Sequence, residues 1–257
     1  MPRSSIIVVG NEILRGFTVD TNSNWLAARL FKCGYPVRLI TTVGDEDGEI
    51  VAAIRDHLGR HDLSRIFVCG GLGPTPDDRT YVALAHALDR SLVYDREVGS
   101  MMQNRMFVYN MAVRRGTAEL NAGNRKMASL PEGALLVHNG AGMAPGLAFE
   151  LKDGRYLFAL PGVPSELRAV YGAIDGSFLL GQRGDIVREL RYRSVPESAF
   201  HDVMLELELE FPDVSLGSYP QTDSRELILR ASGQQQARVE AALDAIRRGV
   251  TQYLPVD

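Results

Sequence analysis

Apolar residues are laid along this chain in two textures. In the first they fall consecutively, as at Ile6-Ile7-Val8-Val9 and Ile66-Phe67-Val68-Cys69. In the second they recur at every third or fourth place, as at Trp25, Leu26 and Leu30, or Ile50, Val51, Ile54 and Leu58. Unbroken β-branched runs read as strands buried on both faces, and spaced positions read as helices with one apolar face. Strands are expected at 5–9, 36–42 and 65–69, with helices between them and at 80–88. Such alternation predicts a parallel sheet with right-handed crossovers.

The pattern continues less regularly. Residues 95–112 read as a longer helix carrying Met101, Met102, Met106 and Met111, better suited to adaptable core than to a binding surface. The polar stretch 114–125 reads as loop and 130–133 as turn. A short strand is expected at 134–137, and a hairpin at 147–151 and 155–160 around Lys152-Asp153-Gly154. Four glycines within 172–184 change the texture, so two domains are expected, 1–175 and 176–257. The second reads β-α-β-β-α, a small α+β module, with Glu206, Glu208 and Glu210 on a solvated helix face.

Composition narrows the class. Hydrophobic content of 45% and charged content of 23% are those of a globular protein. A net charge of −4 leaves no broad basic surface, so no nucleic-acid partner is expected. Cys33 and Cys69 form no CxxC pair and read as small buried thiols in a reducing compartment. The apolar run 6–9 is too short for a signal-peptide core, and no stretch approaches a membrane span. A cytoplasmic protein without a membrane partner is therefore the expectation. A homo-oligomer, in the commonest case a dimer, is expected as well.

The chemistry gathers where predicted strands end. Gly70-Gly71-Leu72-Gly73-Pro74-Thr75-Pro76-Asp77-Asp78-Arg79-Thr80 joins a buried strand to a helix start. Glycines there admit sharp turns and close ligand approach, and a helix N-terminus attracts anions. Carboxylates at the same place favour a divalent metal between protein and phosphate. The stretch is neither a P-loop, lacking the Lys-Ser/Thr pair, nor GxGxxG. The plainer alternative is that Thr75 and Asp78 form a capping box and only begin a helix. Two further turns, Asn139 to Gly146 and Leu160 to Glu166, have the same strand-end character. Glu12, Asp45 and Asp77/Asp78 follow three successive strands, which would set them along one sheet edge. No HExxH or GxSxG occurs; His57 and His61 flank a helix end, where cations are favoured.

Seven spaced motifs carry a resemblance. They are Gly10-Asn11-Glu12-Ile13-Leu14-Arg15-Gly16, Asp20-Thr21-Asn22-Ser23, Val43-Gly44-Asp45, Gly70 to Thr80, Asn121 to Lys126, Ala144-Pro145-Gly146 and Leu160 to Glu166. In order and spacing the chain resembles the CinA family, in its molybdopterin-binding-like domain and the small KH-like domain after it. The resemblance implies a three-layer α/β fold of the MogA/MoaB kind, with a parallel-rich sheet. It places Asp45 and Asp78 on that fold's acidic active-site positions. It also implies metal-dependent pyrophosphatase activity on ADP-ribose, with FAD cleaved by relatives. Two departures are visible. Met143 stands where the family loop usually has Thr, and nothing matches the deamidase domain of longer CinA proteins, so that activity is not expected.

Taken together, the expected catalytic residues are Asp45, Asp78 and Glu12. Asp45, Asp77 and Asp78 would hold magnesium, manganese or cobalt. Substrate contacts are expected from Gly10, Asn22, Gly70, Gly71, Gly73, Thr75, Asn124, Pro145, Gly146, Pro161, Gly162 and Ser165. The expected partner is a small nucleotide or pterin. Alternatives are a molybdopterin-binding or adenylyl-transferring protein, and a non-enzymatic nucleotide-binding scaffold.

Overall fold

The computed structural model describes residues 2–112, 119–179 and 183–256. The chain forms two compact units, Met1–Gln182 and Arg183–Asp257. In order, the first holds β1 (Arg3–Val9), α1 (Asn11–Leu14), α2 (Thr21–Lys32), β2 (Val37–Val43), α3 (Asp47–Gly59), β3 (Leu63–Cys69) and α4 (Thr80–Ala87). Then come β4 (Leu92–Tyr94), α5 (Arg96–Ala112), α6 (Ala122–Met127), β5 (Ser129–Pro131), β6 (Leu135–Val137), β7 (Gly146–Glu150), β8 (Tyr156–Leu160) and α7 (Pro164–Phe178). Six strands make one sheet in the order β2-β1-β3-β8-β7-β6. β2, β1, β3 and β8 are mutually parallel; β7 alone runs against them, and β6 turns back to their direction.

The unbroken apolar runs are explained by burial from both sides. Ile7, Val9, Ile66 and Val68 pack on one face with Ile50 and Ile54 of α3, Leu84 of α4 and Met102 of α5. Ile6, Val8, Phe67 and Cys69 pack on the other with Leu26 and Leu30 of α2 and Leu167, Val170 and Ile174 of α7. The result is three layers, helices on both faces of a parallel-rich sheet.

Several local expectations need correcting. Residues 122–125, expected as loop, belong to α6, because Asn121 accepts a hydrogen bond from the Asn124 N–H and so caps a helix too short to show periodicity. Residues 114–118 of the expected loop and the Met111 side chain lie outside the described residues. The expected turn at 130–133 contributes β5, which pairs with β4; three-residue strands carry too little alternation to be seen in a sequence. α7 runs on through Gly172 and Gly176, both within the glycine-rich stretch where the domain boundary was expected, and the compact units divide after Gln182. His57, expected as a helix-end cation, is buried at 1% exposure. Its Nδ1 meets Ser5 Oγ at 2.9 Å and its Nε2 meets Thr41 Oγ1 at 3.0 Å. Burial holds the imidazole below its usual range.

The second unit holds β9 (Ile186–Arg193), α8 (His201–Glu210), β10 (Ser215–Gln221), β11 (Glu226–Gly233) and α9 (Gln236–Gly249). Its antiparallel sheet has the order β10-β11-β9. Leu190, Tyr192, Leu227 and Leu229 pack inward against Phe200, Leu207, Val239 and Ile246. Glu206, Glu208 and Glu210 are exposed, as expected of a solvated face. No described helix is long and apolar enough to cross a membrane.

Candidate functional site

Four parallel strands deliver their carboxyl ends to one edge. Asp45 follows β2, Glu12 follows β1, Asp77 and Asp78 follow β3, and Glu166 follows β8, in that spatial order. Because β6 runs parallel to β8, the loop from its end to the start of β7 returns to the same edge. The carboxyl edge of an open α/β sheet is where such folds take ligands. Here it forms a cleft of about 650 Å³, a size that suits a small ligand.

The floor of the cleft is bare backbone. Gly70 and Gly71 have φ of +103° and +66°, conformations that side chains resist. A Cβ on Gly70 would lie 2.3 Å from the Val9 carbonyl oxygen, and one on Gly71 would lie 2.4 Å from Thr80 Oγ1. The loop is stitched to α4 by Thr80, whose Oγ1 donates to the Gly70 carbonyl at 2.7 Å and whose N–H donates to the Gly71 carbonyl at 3.0 Å. The N–H groups of Gly71, Leu72 and Gly73 find no acceptor among the described residues. Successive free N–H groups in a turn of this kind form a concave anion cradle. Gly70 itself was expected to contribute, but its N–H donates to the Leu160 carbonyl at 3.0 Å. The Gly10 N–H is likewise committed, to the Val43 carbonyl at 3.1 Å. Neither can bind a phosphate, because each continues the pairing of a strand end.

The carboxylates are held individually. Asp45 Oδ2 accepts the Asn11 N–H at 3.1 Å, at the start of α1. Asp78 Oδ2 accepts the Thr75 N–H at 2.9 Å and Thr75 Oγ1 at 2.6 Å. The Thr75–Asp78 bond has capping-box form, yet the helix begins only at Thr80, so the bond closes the loop instead. The Asp77 carboxyl, beside Thr75 and the loop backbone and facing the charge of Lys126, is held below its usual range. Lys126 donates to the Thr75 carbonyl. Burial pushes its ammonium down, against the pull of Asp78 and Asp77. The Glu12 carboxylate lies over Gly10, where a Cβ would stand 2.6 Å from Oε1.

The far end of the cleft is built by the loop after β6. Asn139 is 2% exposed. Its Oδ1 accepts the N–H groups of Ala141 and Gly142, both at 3.0 Å. Its Nδ2 donates to the Ala144 carbonyl and to Glu166 Oε2, both at 2.7 Å. Arg105 of α5 grips the same loop through the Gly142 and Asn139 carbonyls. Tyr81 donates to the Pro145 carbonyl at 2.7 Å.

Of the residues expected from sequence, Glu12, Asp45, Asp77, Asp78, Gly10, Gly70, Gly71, Gly73, Asn124, Pro161 and Gly162 line this cleft together. Others stand apart from its lining. Asn22 donates from Nδ2 to the Gly162 carbonyl at 2.6 Å and so braces the loop from behind. Thr75 supports Asp78, Pro145 is tied to Tyr81, Gly146 is buried against Val170, and Ser165 is exposed. The expected site residues did not include Met127 or Glu166, although Glu166 closes one of the strand-end turns; Met143 stood out only as a departure from the family loop, and Asn139 only as the start of a turn. A glutamate beside a helix start was the one available sign of Glu166. No local pattern links Asn139 to it, since the contact depends on the β6–β7–β8 reversal.

The donor set bears on a metal. Among the described residues no three His, Cys, Asp or Glu side chains converge closely enough to hold an ion alone. The Oδ1 atoms of Asp45 and Asp78 have no protein donor among those residues. Any cation held at these free carboxylate oxygens would have to take most of its oxygen shell from a bound anion or water.

Comparison with known proteins gives a consistent picture. Residues 5–174 match the family model described as "Probable molybdopterin binding domain". Residues 186–256 match the middle domain of FAD synthase. A protein of Pyrobaculum calidifontis is 34% identical over 99% of this chain and 96% of its own length. A CinA-like protein of Gemmatimonas aurantiaca is 33% identical over 93% of this chain and 55% of its own length. The crystal structure of CinA from Thermoplasma acidophilum, titled as having unknown function, is similar with a TM-score of 0.61 at 35% identity. That match covers 68% of this chain and 97% of the other.

Proposed function

Since the chain belongs to the molybdopterin-binding-domain family, in the CinA form, we propose that it is a divalent-metal-dependent nucleotide pyrophosphatase acting on ADP-ribose or a related dinucleotide such as FAD. One observation carries the reading. The free N–H groups of Gly71 to Gly73 share a cleft with five carboxylates, Glu12, Asp45, Asp77, Asp78 and Glu166, and no Lys, Arg or His among the described residues lines it. Donors inviting an anion and charges repelling it are reconciled by a cation that enters with the anion.

Asp45, Asp77 and Asp78 would hold magnesium, manganese or cobalt jointly with diphosphate oxygens. When bound, such an ion supplies Lewis acidity at the phosphoryl group and acidifies water. The chain's own groups do the rest. The Gly71–Gly73 cradle fixes one phosphate. Glu12, lying over Gly10, is placed to accept a proton from attacking water. Met143, at the far end of the cleft from the cradle, offers an apolar surface to a flat ring.

Incubating the protein with ADP-ribose or FAD and each metal should release AMP. Asp45→Asn and Asp78→Asn should each lower kcat/KM by about a hundredfold or more, the scale of a lost transition-state contact. AMP release no greater than in Asp78→Ala would overturn the reading. A second reading, pterin binding, is favoured by the description of the matching family. Fluorescence titration with molybdopterin separates the two: tight binding without AMP release selects the second.

A further inference from the structure

Glu166 differs from the other carboxylates of the cleft in how it is held. A side chain that is itself 2% exposed, Asn139, grips its Oε2 and spends its remaining hydrogen bonds on the loop. Arg105 fixes that loop in turn. Glu166 Oε1 has no protein donor among the described residues, while the residue lines the cleft. Charged acceptors held this way are aimed at something.

Its place along the edge says what that is. From β2 to β8 the sheet takes three steps, each about 4.8 Å, so Asp45 and Glu166 follow strands about 14 Å apart. Glu166 thus stands at the far end of the carboxylate row from Asp45. An anchored acceptor-only group repels phosphate and seeks O–H or N–H donors. On one side of it stands the phosphate cradle at the end of the adjacent strand β3. On the other, Met143 and Ala144 follow Gly142, against which the carboxylate rests. In a nucleotide, the group between phosphate and base is the ribose.

We infer that Glu166 accepts the ribose hydroxyls of the bound nucleotide and makes the cleft selective for ribonucleotides over deoxyribonucleotides. The inference rests on the nucleotide reading of the cleft but not on hydrolysis. An analogue lacking the hydroxyl leaves Glu166 Oε1, covered by the ligand, without a donor, which is the situation that gives strong discrimination.

The test is equilibrium binding of ADP, 2′-deoxy-ADP and 2′,3′-dideoxy-ADP to the full chain with magnesium, by calorimetry. The unmodified protein should prefer ADP by about tenfold or more, the scale of a hydrogen bond to a charged group. Glu166→Gln should reduce that ratio to within about threefold. Gly142→Ala should do the same while keeping the carboxylate, because a Cβ there would collide with Oε2 and push the group from its place. Equal binding of the three nucleotides by the unmodified protein, or undiminished preference in both variants, overturns the inference. AMP release from ADP-ribose is measured on the same preparations. Its absence alongside intact ribose preference sinks the pyrophosphatase reading and leaves this one standing.

Discussion

His57 illustrates how far one side chain's surroundings can reverse its apparent role. At a helix end it reads as a cation; in the fold it is a neutral link between Ser5 and Thr41. Its folded-state pKa is lowered by burial, so the unfolded chain takes up a proton that the folded chain refuses. Stability from this group is complete above about pH 6.5, the usual histidine value, and declines as pH falls below it. The other four histidines are exposed. The urea midpoint should therefore fall between pH 7 and 5.5, and His57→Gln should flatten that slope. Glycines differ from one another in the same way. Gly16 has φ +70° with nothing within 4 Å of a Cβ, whereas Gly70 faces the Val9 carbonyl oxygen. Gly16→Ala should cost about 1 kcal/mol and Gly70→Ala about 3 kcal/mol. In thermal unfolding the second should lower Tm by roughly 10 °C, several times the first.

Elements were legible where burial imposes a pattern. β1, β3 and β8 are covered on both faces, so their sequences are apolar without alternation, and they were visible directly. α2 announces itself at both ends. Asp20 Oδ1 accepts the Ser23 N–H at 2.9 Å, and the chain leaves the helix at Cys33-Gly34. Asp20→Ala should destabilise the protein by about 1 kcal/mol in urea denaturation, while Thr21→Ala should change little. The short pieces were not legible. α6, β4 and β5 are fixed by Asn121 and by mutual pairing, and neither constraint shows as periodicity. The same division holds in the cleft. Glycines and paired aspartates after strands marked Asp45, Asp78 and Gly71 in advance. The Asn139–Glu166 contact spans 27 positions and exists only because β7 reverses between β6 and β8.

At the scale of the molecule, each compact unit has an apolar core of its own. Residues 183–257 expressed alone should therefore fold cooperatively, with Tyr192 and Phe200 giving a near-ultraviolet circular dichroism signal lost on heating. Residues 1–182 should keep the nucleotide affinity of the full chain, since every residue lining the cleft lies within them. Where the loops after β3 and β8 meet, a Cβ on Gly162 would stand 3.3 Å from the Gly70 Cα. Main chain offers no handle for retuning: exchanging a side chain cannot redraw a surface that has none. Libraries selected for a new nucleotide preference should consequently accumulate changes at cleft side chains such as Asn124, Met143 and Glu166, and leave positions 70, 71 and 162 as they are.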